Sequence, residues 1–348
     1  YIDRLSRIPA IMEMPYNDII RKFIDMYAGR LRNQVSFMLS ACNFYMPIFE
    51  EALDAYGLPL ELRYLPIIES ALNPSAVSRA GASGLWQFMI GTGKIYGLES
   101  NSLVDERRDP IKATWAAARY LKEMYDIYGD WNLVIAAYNC GPGTINKAIR
   151  RANGETDYWK IYNYLPKETR GYVPAFIAAN YVMTYYCDHN ICPMETNIPA
   201  STDTVQVNKN LHFEQIADLC NVPLDQIKSL NPQYKKQMIP GDSKPYTLRL
   251  PIDAISTFID KQDTIYAHRA DELFRNRKTV AVKEITPSTR KTTAAVAGKG
   301  KLTYYTIKSG DTLSTIAGKY GVTIKDIQRW NGMSNTKIAA GKRLKIYK

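Results

Sequence analysis

One carboxylate in this chain stands where a carboxylate is costly. In YLPIIES, residues 64–70, Glu69 closes an apolar run and is followed by Ala71 and Leu72. A helix with this pattern is buried on most sides, so the acid loses hydration, its pKa rises, and it keeps its proton near neutral pH. A protonated carboxyl in a cleft is a general acid. The structural alternative is an ion pair with Arg63 or Arg79.

Three further clusters carry side chains suited to a sugar. SRAGASGLWQFMIGTG (78–93) combines small residues, which let a polymer lie against the backbone, with Ser78, Trp86, Gln87 and Met89 as hydrogen-bonding and stacking groups. Trp86 and Phe88 equally suit a packed core, whereas Gln87, between two aromatics, is an amide that needs partners if buried. AAYNCGPG (136–143) sets Tyr138 and Asn139 at a helix end, and LPKETRGYVPAF (165–176) sets Glu168 ahead of Arg170 and Tyr172. Polar residues at the ends of rigid elements are where sites are usually built.

The elements that must position these groups are helical. Apolar spacing of helical period runs from residue 12 to about 55, with Ile19, Ile20, Phe23, Ile24 and Tyr27, then Val35, Met38, Phe49 and Leu53. It continues over 59–190 in LELRYLPIIESAL, SGLWQFMIGTGKIYG, DPIKATWAAARYLKEMYDIYG, WNLVIAAYN, GTINKAIRRAN and YVPAFIAANYVMTYY, separated by Gly, Pro and Asn breaks. The pattern predicts a largely α domain over 56–198, with an N-terminal helical segment, 1–55, packed on it.

Beyond residue 198 the texture changes to an internal repeat. FEQIADLCNVPLDQIKSLN (213–231) aligns without a gap on LSTIAGKYGVTIKDIQRWN (313–331), with Ile216/Ile316, Ala217/Ala317, Val222/Val322, Ile227/Ile327 and Asn231/Asn331 identical. Alternating strand-like runs flank each copy, predicting strand, helix, helix, strand. The copies occupy 201–252 and 302–348, separated by a helix and a basic linker over 253–301. The last copy, with SGDTLSTIA and IQRWNG, resembles the LysM domain, which implies binding to N-acetylglucosamine-containing glycans through Gly310, Asp311, Thr312, Asn331 and Gly332. In the first copy NKNLH replaces the SGDT turn and KKQMIPGDSKPY lengthens the tail, so it is similar to a degenerate module with its packing pattern kept.

At 348 residues the chain fits two or three domains. No stretch approaches the ~18–20 unbroken apolar residues of a membrane span. The net charge of +11 favours an anionic partner, although much of the excess lies in the linker. The basic residues are not interleaved with aromatics in a nucleic-acid motif, so nucleic acid is not expected as a partner. The five cysteines and three histidines match no zinc pattern, so neither a metal nor another cofactor is expected. Cys187 and Cys192 in CDHNIC are spaced to close a small disulfide loop in an oxidising compartment, or to remain thiols. The sequence opens YIDRLSRIPA, without an initiator Met or an apolar leader, so a signal peptide is expected to be absent from the given chain.

In order, ES, SAVSRAGASGLWQFM, AYNCGPG and ETRGYV resemble the family 1 lytic transglycosylases, whose domain has a goose-type lysozyme-like fold. The segment between them is more similar to the membrane-bound lytic transglycosylase D subgroup, which carries C-terminal LysM modules. The resemblance implies a mainly α, lysozyme-like catalytic domain followed by small βααβ modules. It makes Glu69 the single catalytic acid/base, with Ser70, Ser78, Gln87, Met89, Tyr138, Asn139, Glu168 and Tyr172 binding substrate or holding the acid. Cys140 stands where the family has a small residue after AYN, and Ile90 where it has Pro. The implied reaction cleaves the MurNAc-β-1,4-GlcNAc bond of peptidoglycan and leaves 1,6-anhydroMurNAc. Two alternatives are a hydrolytic muramidase using water directed by Glu168 or Asp105, and a non-catalytic peptidoglycan-binding protein. A periplasmic or envelope location, a monomer, and an outer-membrane lipid anchor outside the given chain are the accompanying expectations.

Overall fold

Several of the helices begin where the sequence supplies a cap. Asn17 Oδ1 accepts from the amides of Ile19 and Ile20, each at 3.0 Å. Asp109 caps in the same way ahead of Pro110, and Asp130 accepts from Leu133 N at 2.7 Å. Each cap satisfies donors that a helix N-terminus leaves open. The computed structural model describes residues 1–196, 198–199, 201–274, 302–308, 310–333, 336 and 338–347, and the chain divides into two compact units, Tyr1–Glu284 and Ile285–Lys348.

The first unit opens with α1 (Ile2–Ser6), α2 (Asp18–Ala28), α3 (Arg32–Ala55), α4 (Leu65–Ser70), α5 (Ile90–Ile95), α6 (Pro110–Tyr128), α7 (Trp131–Cys140), α8 (Pro142–Arg151), α9 (Tyr158–Ile161) and α10 (Lys167–Thr184). The last of these is central and packs against α2, α4 and α7. Its Val173, Phe176, Ile177 and Tyr181 are fully buried, as are Leu133, Val134 and Ile135 of α7 and Ile20 and Ile24 of α2. Each such side chain contributes about 1.5–3 kcal/mol of burial free energy. One apolar core runs from Leu5 to Ile191, so the N-terminal helices share the core of the segment that carries Glu69.

SGLWQFMIGTGKIYG reads as helical, yet only Ile90–Ile95 forms a helix. The residues before it fold into a looped wall held by bridges between Val77 and Ser83 and between Ser83 and Phe88. Its backbone lies against residues 107–108 so closely that a Cβ on Gly84, where φ is +88°, would meet the Arg107 carbonyl oxygen at 1.8 Å. Arg107 Nη1 donates to the carbonyls of Gly81 at 2.8 Å and Phe88 at 2.9 Å. Its guanidinium also forks onto both oxygens of Asp105, each at 2.8 Å, in a pair that is almost wholly buried. These tertiary bonds take the place of a helical ladder.

The next module runs β1 (Thr202–Val207), β2 (Asn210–His212), α11 (Phe213–Cys220), α12 (Leu224–Leu230), β3 (Met238–Pro240) and β4 (Tyr246–Pro251). Strand β1 pairs antiparallel with β4, from Thr202 opposite Pro251 to Val207 opposite Tyr246, and β2 with β3 adds a second ladder. The helices after Pro251 are α13 (Ile252–Asp260), α14 (Gln262–Ala267) and α15 (Ala270–Leu273). Grouped with the linker in the sequence, they pack into this module: Ala254, Phe258, Ile265 and Leu273 are buried, and Gln215 Nε2 donates to the carbonyls of Tyr266 and His268. The basic segment 275–301 lies outside the described residues.

The module is fixed to the helical part of its unit. Val104 bridges Tyr234, Asp105 N donates to Gln233 O and Lys235 N to Leu103 O, both at 2.8 Å. Lys244 pairs with Glu99 at 2.7 Å. Leu103 and Val104 belong to the module's apolar core.

The second unit contains β5 (Leu302–Thr306), α16 (Leu313–Tyr320), α17 (Ile324–Asn331) and β6 (Arg343–Tyr347). Strands β5 and β6 pair antiparallel, with Leu302 opposite Tyr347. The asparagines that the repeat aligns do the same work in both copies. Asn231 donates to the carbonyls of Ile227 and Arg249 and accepts from Arg249 N. Asn331 donates to those of Ile327 and Lys345 and accepts from Lys345 N. In each copy the amide clamps the second helix to the last strand. Helix α16 starts on a Thr312/Thr315 capping box, and α11 on a His212/Gln215 pair in its place.

Candidate active site

Helix α4 is short because its sequence starts and stops it abruptly. Pro66 sits in the first turn, where its missing N–H costs nothing. The helix ends at once after Ser70, where Ala71 and Leu72 adopt left-handed φ values of 52° and 59°. Consecutive non-glycine residues in that region cost about 1–3 kcal/mol each and persist where the surroundings impose them. Ser70 Oγ, 3.1 Å from the Pro66 carbonyl and 2.9 Å from that of Leu85, ties the helix end to the looped wall. Gln87 is also left-handed, at 47°, and its Nε2 donates to the carbonyls of Gly84 at 2.8 Å and Ala76 at 3.3 Å.

These constraints place Glu69 in a pocket of about 440 Å³ together with Ser70, Ser78 and Gln87. Residues of α2 and α3, among them Tyr27, Gln34 and Met38, close the pocket's other side. Glu69 is the sole acid among the described lining residues. Its side chain is half-buried, open to the pocket and enclosed by protein elsewhere. That enclosure pushes its pKa from the ordinary 4.5 up to about 7, and the negative charge of Glu168 pushes in the same direction. The Tyr172 hydroxyl donates to Glu69 Oε1 and opposes the rise. Arg63 pairs with Glu50 instead, so the ion pair open to Glu69 in the sequence is not formed with that residue.

The other residues singled out in the sequence take distinct places. Ser78 is exposed on the pocket wall and its hydroxyl accepts from Ala82 N at 3.0 Å. Tyr138 donates to the Trp86 carbonyl at 2.7 Å, and burial together with the charge of Glu69 pushes its own pKa well up. Asn139 Oδ1 accepts from Thr169 Oγ1 at 2.9 Å. Tyr138, Asn139, Met89, Glu168 and Tyr172 do not line the pocket itself. Met89 is half-buried at the start of α5, and Glu168 is exposed in the first turn of α10. Trp86 is wholly buried, with Nε1 donating to Thr114 Oγ1 at 2.8 Å, so it is core rather than platform. Cys140 is half-buried, and all five cysteines, Cys187 and Cys192 included, are free thiols. Among the described residues no group of three or more His, Cys, Asp or Glu could hold a metal ion.

Sequence reasoning missed the contribution of α2 and α3 to the pocket. Tyr27 belongs to an evident helical stripe, but nothing in the stripe tells which large residue borders a cavity. It also missed Arg107, whose neighbours Glu106 and Arg108 make it look like one of a run of solvated charges. In the second unit, Gly310 has φ +89°. Asp311 Oδ2 accepts from Tyr305 Oη and Lys308 N, both at 2.8 Å, and the backbone bond from Lys308 holds its pKa below the usual carboxylate range. Gly332 terminates α17 in a left-handed conformation.

Comparison with known proteins finds three matching families along the chain. Residues 46–161 match the transglycosylase SLT domain, 201–267 the LysM-like domain of lytic transglycosylase MltD, and 305–346 the LysM domain. The chain is 31% identical over 339 residues to the membrane-bound lytic murein transglycosylase D of Escherichia coli K12, covering 96% of this chain and 70% of that protein. It is 33% identical over 124 residues to the soluble lytic murein transglycosylase of the same organism, covering 34% of this chain and 19% of that one. Among solved structures, the 70 kDa soluble lytic transglycosylase Slt70 of E. coli matches with a TM-score of 0.36 at 29% identity, over 41% of this chain and 24% of that one. With a transglycosylase SLT domain, an MltD-type LysM-like module and a LysM domain in one chain, and 31% identity over nearly its whole length to its E. coli relative, this protein belongs to the membrane-bound lytic murein transglycosylase D family.

Proposed function

We propose that the protein is a peptidoglycan lytic transglycosylase, and that Glu69 alone carries the proton transfers. The observation that carries this reading is a lone acid, set in a pocket without a second carboxylate among its described lining residues, with its pKa raised to about 7. Glycosidases that activate water use two carboxylates flanking the bond. Here the protonated Glu69 gives its proton to the oxygen leaving MurNAc C1, and the glycosidic bond breaks through an oxocarbenium-like centre. The carboxylate so formed removes the proton from the C6 hydroxyl of the same sugar. That oxygen closes on C1 to give 1,6-anhydroMurNAc and returns Glu69 to its starting state. No water is consumed, and the nucleophile is already attached to the substrate, so the closing step is intramolecular.

Tyr172 orients the carboxyl, Tyr138 and Ser70 hold the wall and the helix end, and Ser78, Gln87, Met89 and Asn139 belong to the glycan-binding side of the domain. The muramidase reading has less support. Asp105 is locked in its buried pair with Arg107, and the exposed Glu168 acts on Glu69 through its charge without lining the pocket. A purely glycan-binding role leaves the raised pKa of Glu69 without a purpose.

The division of labour follows the modules: residues 1–55 support the catalytic domain at 56–198, the 201–252 module is attached to it, and the LysM domain at 302–348 binds the wall. Gly310, Asp311, Thr312 and Gly332 are the residues assigned to that contact, with Asn331 bracing the helix beside it. The protein acts as a monomer in the bacterial envelope, on the periplasmic side, with an outer-membrane lipid anchor as the natural attachment. Digestion of peptidoglycan by wild type and Glu69→Gln tests the reading: wild type releases anhydro products, and the variant releases none while still binding sacculi.

A further inference from the structure

A second and larger pocket, about 910 Å³, lies between the catalytic part of the first unit and its LysM-like module. It adjoins the Glu69 pocket along two shared walls. Helix α3, with its N-cap Leu31, gives Leu31, Gln34 and Met38 to the Glu69 pocket and Phe37, Phe44 and Tyr45 to the second. Met38 and Tyr45 lie two turns apart on one helix face, about 10 Å along the axis. The loop that follows Glu69 gives Ala71 and Ala76 to the first pocket and Leu72 to Ser75 to the second. The remaining walls are α12 of the LysM-like module, with its N-cap Pro223 and with Gln226 and Ser229, and the segment that gives Met194, Glu195, Thr196 and Ile198.

The space is preformed, because the module is held by the Val104–Tyr234 bridge, the paired backbone bonds of Asp105 and Lys235, and the Lys244–Glu99 ion pair. Phe37 is exposed and Phe44 half-buried, which offers apolar ring surface, while Asn73, Ser75 and Ser229 are exposed polar groups beside it. This mixture suits the faces and substituents of an N-acetylated sugar. The charges at the rim are the acids Glu195 and Asp225, with no Lys or Arg among the described lining residues. Carboxylate-bearing stem peptides are therefore poorly matched, and a neutral stretch of glycan well matched.

We infer that this pocket is an accessory binding site for the glycan strand, and that the degenerate LysM-like module serves as one of its walls instead of as a free-standing binder. The inference rests on the reading that glycan is the substrate of the Glu69 pocket. It accounts for a LysM-like module that has lost the SGDT turn yet keeps its packing and is docked beside the cleft.

The test uses the full chain and peptide-free glycan strands. In Glu69→Gln, added glycan should slow amide hydrogen exchange over residues 72–75 and 223–230 as well as over 67–71. Filling the pocket with Ser229→Trp, or removing its ring with Phe37→Ala, should abolish protection of 223–230 while leaving that of 67–71. In the otherwise wild-type enzyme the same changes should raise KM for long strands by about tenfold with kcat unchanged, as for the loss of one good ring contact and its polar neighbours. Protection confined to 67–71, or an unchanged KM in both variants, overturns the inference and leaves the proposed function intact. Full turnover by Glu69→Gln overturns the proposed function whatever the second pocket does.

Discussion

In the proposed mechanism Glu69 is useful because its surroundings leave the acid nearly balanced at neutral pH. Burial and the neighbouring Glu168 charge raise its pKa, and the Tyr172 hydroxyl restrains the rise. Since that hydroxyl favours the ionised carboxylate, Tyr172→Phe should move the basic limb of kcat/KM, which the proposed mechanism puts near pH 7 in wild type, to higher pH. It should also lower the plateau by about tenfold through lost orientation. A pH–rate profile in both forms measures this. The same shift bears on stability. Folded Glu69 holds its proton up to about pH 7, whereas the unfolded chain releases it near 4.5. The favourable contribution is therefore full below pH 4.5 and is lost as pH rises through 7. Glu69→Gln should be the more stable protein above pH 7, by on the order of 2 kcal/mol after allowance for partial exposure, and equal below pH 4.5. Denaturant melts at pH 4 and pH 8 check both halves.

At the scale of elements, the wall facing Glu69 is held from behind. Arg107 connects Asp105 to the carbonyls of Gly81 and Phe88, and Asp105 also joins the backbone of the LysM-like module. Asp105→Ala would leave the buried guanidinium without its counter-charge and should cost about 3–5 kcal/mol, read as a lowered denaturation midpoint. Much of this level was open to sequence reading and some was not. Helix periodicity located α2, α3, α6, α7 and α10, and the repeat located the paired helices of both modules. The run SGLWQFM misled because its apolar density suits a helix, while its actual shape depends on Gly84 abutting Arg107, a contact between residues 23 positions apart that no local pattern reveals. Glu69 was legible because an acid in an apolar run is conspicuous by itself. Tyr27 and Met38, on the far side of the pocket, were legible only as core, since border and core residues share the same helical stripe.

For the whole molecule, the three matched regions separate cutting from holding. The LysM domain carries its own apolar core of Tyr305, Leu313, Ile316, Ile327, Trp330 and Ile346, so its removal leaves the first unit's cores intact. Deleting residues 302–348 should weaken binding to intact sacculi by about a hundredfold, the scale of a lost tethered contact, while changing cleavage of soluble glycan little. A sacculus pull-down beside a soluble-substrate assay separates the two effects. The formal charge of +11 adds a screenable component on an anionic wall, so sacculus binding should weaken as salt is raised.

The central claim is that one carboxyl does the work of two by returning the substrate's own hydroxyl to the broken bond. Mass analysis of peptidoglycan digested by wild type and by Glu69→Gln tests it most directly. Wild type should release muropeptides ending in 1,6-anhydroMurNAc, lighter by one water than hydrolytic products, and the variant should release none. A predominance of reducing-end MurNAc, or undiminished release by Glu69→Gln, would contradict the account.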